Sequence, residues 1–235
     1  MGKATGHARH CVNRITSRRY KTLVILSVNP NRKPRKQNAF AEAATVFRKH
    51  GGVLRTMDAI RLGVHPRTLY AMRDARALEQ LGRGLYRLAD LPPLGNPDLV
   101  AVALRVPEGV VCLLSALSVH EITTQIPHEV YVALKRGAEP PRLEHPPVRV
   151  FWFTGKAFTE GIETRQLDGI DVRVYGAAKT VADCFKYRNK LGLDMAVESI
   201  KLFLRQRRGD PAELLRFARV CRVERAMRPY LEALM

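Results

Sequence analysis

Apolar residues take up helical spacing from Phe40 onward. Phe40, Ala43, Ala44 and Phe47 fall on one face of FAEAATVFRKHGG (40–52), and its closing glycines predict a helix with a C-cap. In RTMDAIRLGV (55–64), Thr56 is placed to cap a short helix carrying Ile60 and Leu62, with Gly63 supplying the turn. A third helix is predicted over HPRTLYAMRDARAL (65–78), where Pro66 takes the favoured first-turn position and Leu69, Met72 and Leu78 turn inward. LEQLGRGLYRLAD (78–90) then reads as strand, Gly82-Arg83-Gly84 turn and strand. Helix, helix, turn, helix, hairpin is the order of a winged helix-turn-helix, here over residues 38–90.

LPPLGNP (91–97) reads as a linker, because its prolines and glycine cannot continue a helix or a central strand. Beyond it, residues 98–105 and 112–122 have helical patterning, while EVYVALKRG (129–137), VRVFWFTG (148–155), GIETRQLDG (161–169) and IDVRVYG (170–176) have strand patterning. The last two strands are expected to form a hairpin through Asp168-Gly169. Four helices are predicted to close the chain, at 178–190, 193–207, 211–222 and 225–235. The second is amphipathic through Leu193, Ala196, Val197, Ile200, Phe203 and Leu204, and the last is bent or interrupted at Pro229. The expected fold class is α+β: an N-terminal winged helix-turn-helix domain, then a mixed α/β domain (98–235) with a small sheet and C-terminal helices. Residues 38–95 are expected to fold alone.

Charge changes the picture in one respect. The chain of 235 residues has a formal net charge of +18, and residues 1–36 contribute ten Lys or Arg with no Asp or Glu. This stretch has no sustained periodicity, and 1–37 reads as a flexible basic arm or as an extension from a misassigned start codon. Nine basic against five acidic residues follow in 37–95, against 21 and 17 in 96–235, so the surplus is concentrated where the winged helix is predicted. Such a surplus attracts a polyanion through release of condensed counterions. Cys11, Cys112, Cys184 and Cys221 lie far apart without CxxC pairing, which argues against a zinc site or disulfide framework and fits the cytoplasm. No apolar stretch reaches the ~18 residues of a membrane span; Arg105, Pro107 and Glu108 break the best one, Leu99 to Val119. TLVILSV (22–28) is at the short limit for a signal peptide.

In a helix-turn-helix the second helix enters the major groove with its N-terminal side chains toward base edges. With Leu69 and Met72 inward, Arg67, Thr68 and Ala71 are expected to face out, flanked by Tyr70 and Arg73. Arg67 suits a bidentate contact to guanine, and Thr68 a phosphate or a thymine methyl. Arg83 at the wing tip and Arg87 on the return strand would meet phosphate or the minor groove. The competing reading is that the same unit mediates protein contacts.

HPRTLYAMRDARALEQLGRGLYRLAD (65–90), SALSVHEITTQIPHEVYVAL (115–134) and VYGAAKTVADCFKYRNKLGLDMA (174–196) together resemble the AbiEi family, the antitoxins of type IV toxin–antitoxin systems linked to abortive phage infection. The likeness runs from about residue 38 to the end. It implies an N-terminal winged helix that represses its own operon at inverted repeats in duplex DNA, and a C-terminal domain required for antitoxin action and cooperative DNA binding. It also implies a nucleotidyltransferase-like toxin, countered without a stable complex. No cofactor is expected. The basic arm is not part of that pattern.

Enzyme chemistry finds little foothold. A nuclease of the PD-(D/E)xK type needs an acidic residue two before a lysine, and neither ExK nor DxK occurs in the chain. Asp168 and Asp171 are better explained by turn chemistry than by metal binding. His120 and His128 lack a third ligand, and Ser115, His120 and Asp183 lack a nucleophile elbow, so a DNA-processing enzyme ranks last. Lys179, Lys186, Arg188 and Lys190 make the helix at 178–190 basic, either as a solvated face or as a second nucleic-acid surface.

Overall fold

The computed structural model of the chain describes residues 35–206 and 209–234. The apolar run 22–28, Cys11 and most of the basic arm lie outside the described residues. α1 (Arg35–Lys49) starts inside the segment expected to be arm. It ends at Gly51 and Gly52, both left-handed at φ 72° and 77°, with Gly52 N–H returning to Phe47 O at 2.8 Å. Gly51 is also a point of close approach, since a Cβ there would lie 2.7 Å from Gly169 O.

A short strand, β1 (Val53–Arg55), follows, which the sequence pattern did not suggest. α2 (Thr56–Arg61) is preceded by Arg55 as its N-cap; Thr56 is not the cap, because its hydroxyl donates to Gly84 O instead. α3 (Pro66–Asp74) carries the expected Pro66 at its start and stops four residues short of the predicted end. Arg76 takes the left-handed position, φ 56°, that usually marks a helix end with glycine, and Ala77 N–H returns to Met72 O at 2.9 Å. Leu78 therefore opens a strand. β2 (Leu78–Gly82) and β3 (Leu85–Leu88) form the predicted hairpin, and β1 pairs on the other side of β3 to give a three-stranded sheet, β1-β3-β2. Ala43, Phe47, Leu54, Ala59, Leu69, Met72, Tyr86 and Leu88 form the core between these helices and this sheet.

α4 (Pro97–Arg105) leads into β4 (Val110–Val111), then α5 (Leu113–Val119), β5 (Val130–Lys135) and β6 (Val148–Phe153). A single turn, α6 (Lys156–Thr159), precedes the hairpin β7 (Ile162–Leu167) and β8 (Ile170–Tyr175), whose turn is Asp168-Gly169 as expected. The five strands assemble in the order β6-β5-β4-β8-β7. β5–β6 and β4–β8 are parallel, and β4–β5 and β7–β8 antiparallel. The chain closes with α7 (Ala177–Lys186), α8 (Arg188–Leu191), α9 (Leu193–Arg205), α10 (Pro211–Val220) and α11 (Glu224–Glu232). The fold is thus mixed α+β, with small sheets and C-terminal helices.

The larger sheet is covered on both faces, which explains five successive buried residues in β5 where strict alternation would expose every second one. Tyr131, Ala133, Phe151, Phe153 and Tyr175 face α5, α7, α9, α10 and α11. Val130, Val132, Leu134, Val148 and Val150 face the opposite way, toward α4. On α9 the buried stripe is Met195, Ala196, Ser199, Ile200 and Phe203; Leu193, expected inside, is 42% exposed.

The two sheets are joined through a shared apolar cluster. Val53 and Leu85 of the small sheet pack with Val100 and Ala101 of α4 and Ile170 of β8. The stretch 91–97 is held by side chains: Arg87 donates to Leu91 O and Pro92 O, and the Asp168 carboxylate accepts from Gly95 N and Asn96 N, both at 2.9 Å. A fragment ending at residue 95 would uncover Val53 and Leu85.

Candidate nucleic-acid interface

The exposed face of α3 is set by its two buried anchors. Leu69 and Met72 are sealed beneath the helix, so residues on the opposite side are forced outward. The helix start is fixed by His65, whose Nδ1 accepts from Arg67 N at 3.1 Å, and by Pro66, whose missing N–H would have no helical partner. Arg67, Tyr70, Arg73 and Asp74 are exposed. Arg73 forks onto Asp74 through Nε and Nη2 at 3.0 and 2.7 Å, and lies over the Tyr70 ring, 5.2 Å from its centroid. Donation to the Asp74 carboxylate raises the Arg73 pKa above its usual value. Arg67 makes no ion pair among the described residues.

Thr68 corrects the expected arrangement. It is half-buried and turns toward α1, lining a cleft with Ala39, Glu42, Val46 and Val64, because its position is a quarter-turn from the outward direction.

At the hairpin tip, Arg83 is exposed. Gly84 stands at φ 69°, which the tight turn requires, and its carbonyl accepts from Thr56 N at 2.9 Å. Arg105, at the end of α4, donates from Nη2 to Arg83 O. Arg87, expected beside Arg83 on the DNA side, is instead 4% exposed, pairing with Glu79 at 3.1 Å while holding the Leu91 and Pro92 carbonyls. Those carbonyls have no ladder partners, and one guanidinium nitrogen, Nη2, donates to both. Sequence reasoning missed Arg105: it lies 22 residues from its partner, on another element, with no local signal.

The second basic group is reduced in the same way. Lys179 is fully buried, and its ammonium pairs with the equally buried Asp183. Burial pushes the Asp183 carboxyl up, against the pull of Lys179 and the Cys221 thiol that donates to it at 3.1 Å. Lys186 and Arg188 are half-buried and Lys190 exposed. They border aromatic rings: Lys186 and Lys190 lie 5.8 and 5.9 Å from the Tyr187 centroid, and Arg188 lies 5.2 Å from that of Phe185.

The remaining polar residues are occupied locally. Ser115 Oγ accepts from Tyr131 N at 3.0 Å, His120 Nε2 lies 2.7 Å from Tyr175 O, and Asp183 is held by Lys179 and Cys221, so no two of the three meet. Asp168 binds the backbone at 95–96, while Asp171 is exposed and accepts from Gln166 Nε2 at 2.8 Å. Among the described residues no three His, Cys, Asp or Glu side chains gather as metal ligands, and no helix is long and apolar enough to cross a membrane.

Residues 42–89 match the family described as "Transcriptional regulator, AbiEi antitoxin", which is the family the sequence resembles. The segment runs from α1 through the hairpin and contains α3 and Arg83. No curated protein matches the chain. Among solved structures, the crystal structure of the RV2827C protein from Mycobacterium tuberculosis shares the fold. Its TM-score is 0.50 at 13% identity, over 86% of this chain and 82% of that one.

Proposed function

We propose that this chain is a sequence-specific repressor that binds duplex DNA through a winged helix-turn-helix at 38–90 and acts as the antitoxin of a type IV toxin–antitoxin system. The AbiEi match supports the regulator and antitoxin roles. The observation that carries DNA binding is the exposed, arginine-bearing face of α3 beside a hairpin whose tip presents Arg83. In this reading α3 enters the major groove with Arg67 toward a guanine edge, and Tyr70 and Arg73 border it. Asp74, bound to Arg73 in the free protein, can accept from a cytosine amine once the pair opens. Arg83 rests on phosphate. The remaining assignments are repression of its own operon at inverted repeats, a cytoplasmic location, a nucleotidyltransferase-like toxin met without a stable complex, and no catalytic activity of its own. The domain boundaries proposed are 38–90, a connecting 91–97 and an antitoxin-type domain at 98–235. Lys186, Arg188 and Lys190 remain as the second basic surface.

The test is a salt titration of Arg67→Ala and Arg83→Ala on DNA from upstream of the gene and on a scrambled duplex. A bidentate arginine–guanine contact contributes ~1–3 kcal/mol of discrimination, so Arg67→Ala should weaken only the first. Arg83→Ala should weaken both and lower the slope of log K against log salt by ~1. The ten basic residues of 1–36 would dominate non-specific binding and mask both effects, so the variants are compared in protein lacking 1–36. Equal losses on both DNAs for both variants would show that α3 does not read bases.

One observation favours a second reading. Met57, Ile60 and Leu62, on or just after α2, are 61, 37 and 41% exposed, an apolar strip suited to a protein partner. Absence of duplex binding at low salt would leave that reading, a protein-interaction module, in place of the first.

A further inference from the structure

The hairpin turn Gly82-Arg83-Gly84 is gripped from two sides. From below, Thr56 at the start of α2 donates its N–H and its hydroxyl to Gly84 O, at 2.9 and 3.3 Å. From the side, Arg105 donates to Arg83 O, and its Nη2 would lie 3.1 Å from a Cβ added at Gly82. Arg105 ends a helix that belongs to the large sheet's layer: Val102 packs against β5, and Val100 and Ala101 pack with Val53, Leu85 and Ile170. The other end of that helix is tied by Asp168, whose carboxylate accepts from Gly95 N and Asn96 N ahead of Pro97. A continuous run of packed and hydrogen-bonded groups therefore joins the β7–β8 turn, α4 and the hairpin tip.

We infer that Arg105 is a positioning residue: it orders the hairpin turn so that Arg83 is presented in one place, which rests on the DNA-binding reading for its functional consequence. A turn at the end of a two-stranded ribbon is ordinarily among the least restrained parts of a fold, and a DNA contact made from it must first be ordered. A guanidinium bond to the Arg83 carbonyl removes that freedom in the unbound protein. It is charge-assisted, and so stronger than a neutral one. The rest of the bond's geometry is fixed because α4 is packed on both sheets. The half-buried position of Arg105 makes a direct phosphate contact the alternative role to be separated by experiment.

Arg105→Met keeps the apolar stem and removes the donors; Arg105→Lys keeps the charge. Hydrogen exchange across residues 82–85 is measured in the full chain without DNA, alongside thermal unfolding. Arg105→Met should exchange roughly tenfold faster in that segment, as loss of a charge-assisted bond implies, with exchange in α3 unchanged. Unchanged exchange at 82–85 would overturn the inference whatever happens with DNA. On duplex DNA, Arg105→Met should weaken binding with the salt slope unaltered, and should add nothing to Arg83→Ala, because it acts through Arg83. A slope lowered by ~1, or additive losses with rescue by Arg105→Lys, would make Arg105 a phosphate contact and overturn the positioning role. If the unmodified chain binds no duplex DNA, the functional reading fails, while the exchange measurement still decides whether Arg105 holds the turn.

Discussion

Replacing Lys179 by Met examines an ion pair sealed inside the C-terminal half. Lys179 and Asp183, one turn apart on α7, are both fully buried, and the ammonium also lies 4.0 Å from the Tyr175 ring centroid. Asp183 accepts from two donors, Lys179 and the Cys221 thiol, among otherwise apolar neighbours. Removing the cation strands a carboxylate in that interior, and breaking such a pair from one side costs about 3–5 kcal/mol. Burial already raises the Asp183 carboxyl above its ordinary value, and loss of Lys179 must raise it further. The folded variant then retains a proton that the unfolded chain releases near pH ~3.9. The Asp183 contribution to stability is consequently greatest below that pH and is lost as pH rises through the folded-state pKa, by up to about 1.4 kcal/mol per pH unit. Urea unfolding followed by the fluorescence of Trp152, the only tryptophan, supplies the measurement. The expected result is a loss of about 3–5 kcal/mol near neutral pH, shrinking toward about pH 5. Adding Asp183→Leu should restore most of it, because apolar replacement of both partners is often neutral. A loss below about 1 kcal/mol near neutral pH, or one independent of pH, would refute the account of Asp183 as a carboxylate kept inside by its lysine.

Two substitutions test other placements. Arg87→Ala deprives two backbone carbonyls and Glu79 of their donor and should cost about 2–3 kcal/mol in urea unfolding, whereas Arg83→Ala should stay within about 0.5 kcal/mol; similar values would contradict the burial of Arg87. Arg76→Gly relieves an exposed left-handed residue at the end of α3 and should raise stability by about 1 kcal/mol, with a lower urea midpoint counting against it.

Where periodicity was strong, the elements were legible. The strands at 130–135, 148–153, 162–167 and 170–175 and the anchors Leu69 and Met72 stand as expected, because alternation and helical spacing are read from neighbours alone. Three kinds of feature were not. β1 and β4 are too short to have a period, being three and two residues long. The end of α3 carries arginine where glycine would have announced the turn. Most consequential for the site, a cation's role depends on what lies over it. Arg83, Arg87, Lys179 and Lys190 look alike in sequence, yet Arg83 and Lys190 reach solvent while Arg87 and Lys179 are consumed by carbonyls or a carboxylate.

The prolines at 91–97 illustrate the same dependence at the scale of the chain. They exclude helix and central strand, and in a chain read alone that is the signature of a connector. Exclusion from regular structure also leaves backbone groups without ladder partners, and in a folded chain these must be satisfied from elsewhere. Here Arg87 supplies donors to Leu91 O and Pro92 O, and Asp168, 73 and 72 residues from Gly95 and Asn96, supplies the acceptor for their amides. The stretch is therefore a seam between the small sheet and the large one, reinforced by the packing of Val53 and Leu85 on α4 and Ile170. Asp168→Ala would leave two amides at the start of α4 without their carboxylate and loosen the seam at the end opposite Arg105. If the hairpin tip is positioned through that helix, the substitution should accelerate exchange at residues 82–85 as well as at 95–97; acceleration confined to 95–97 would show that the two ends of α4 act independently.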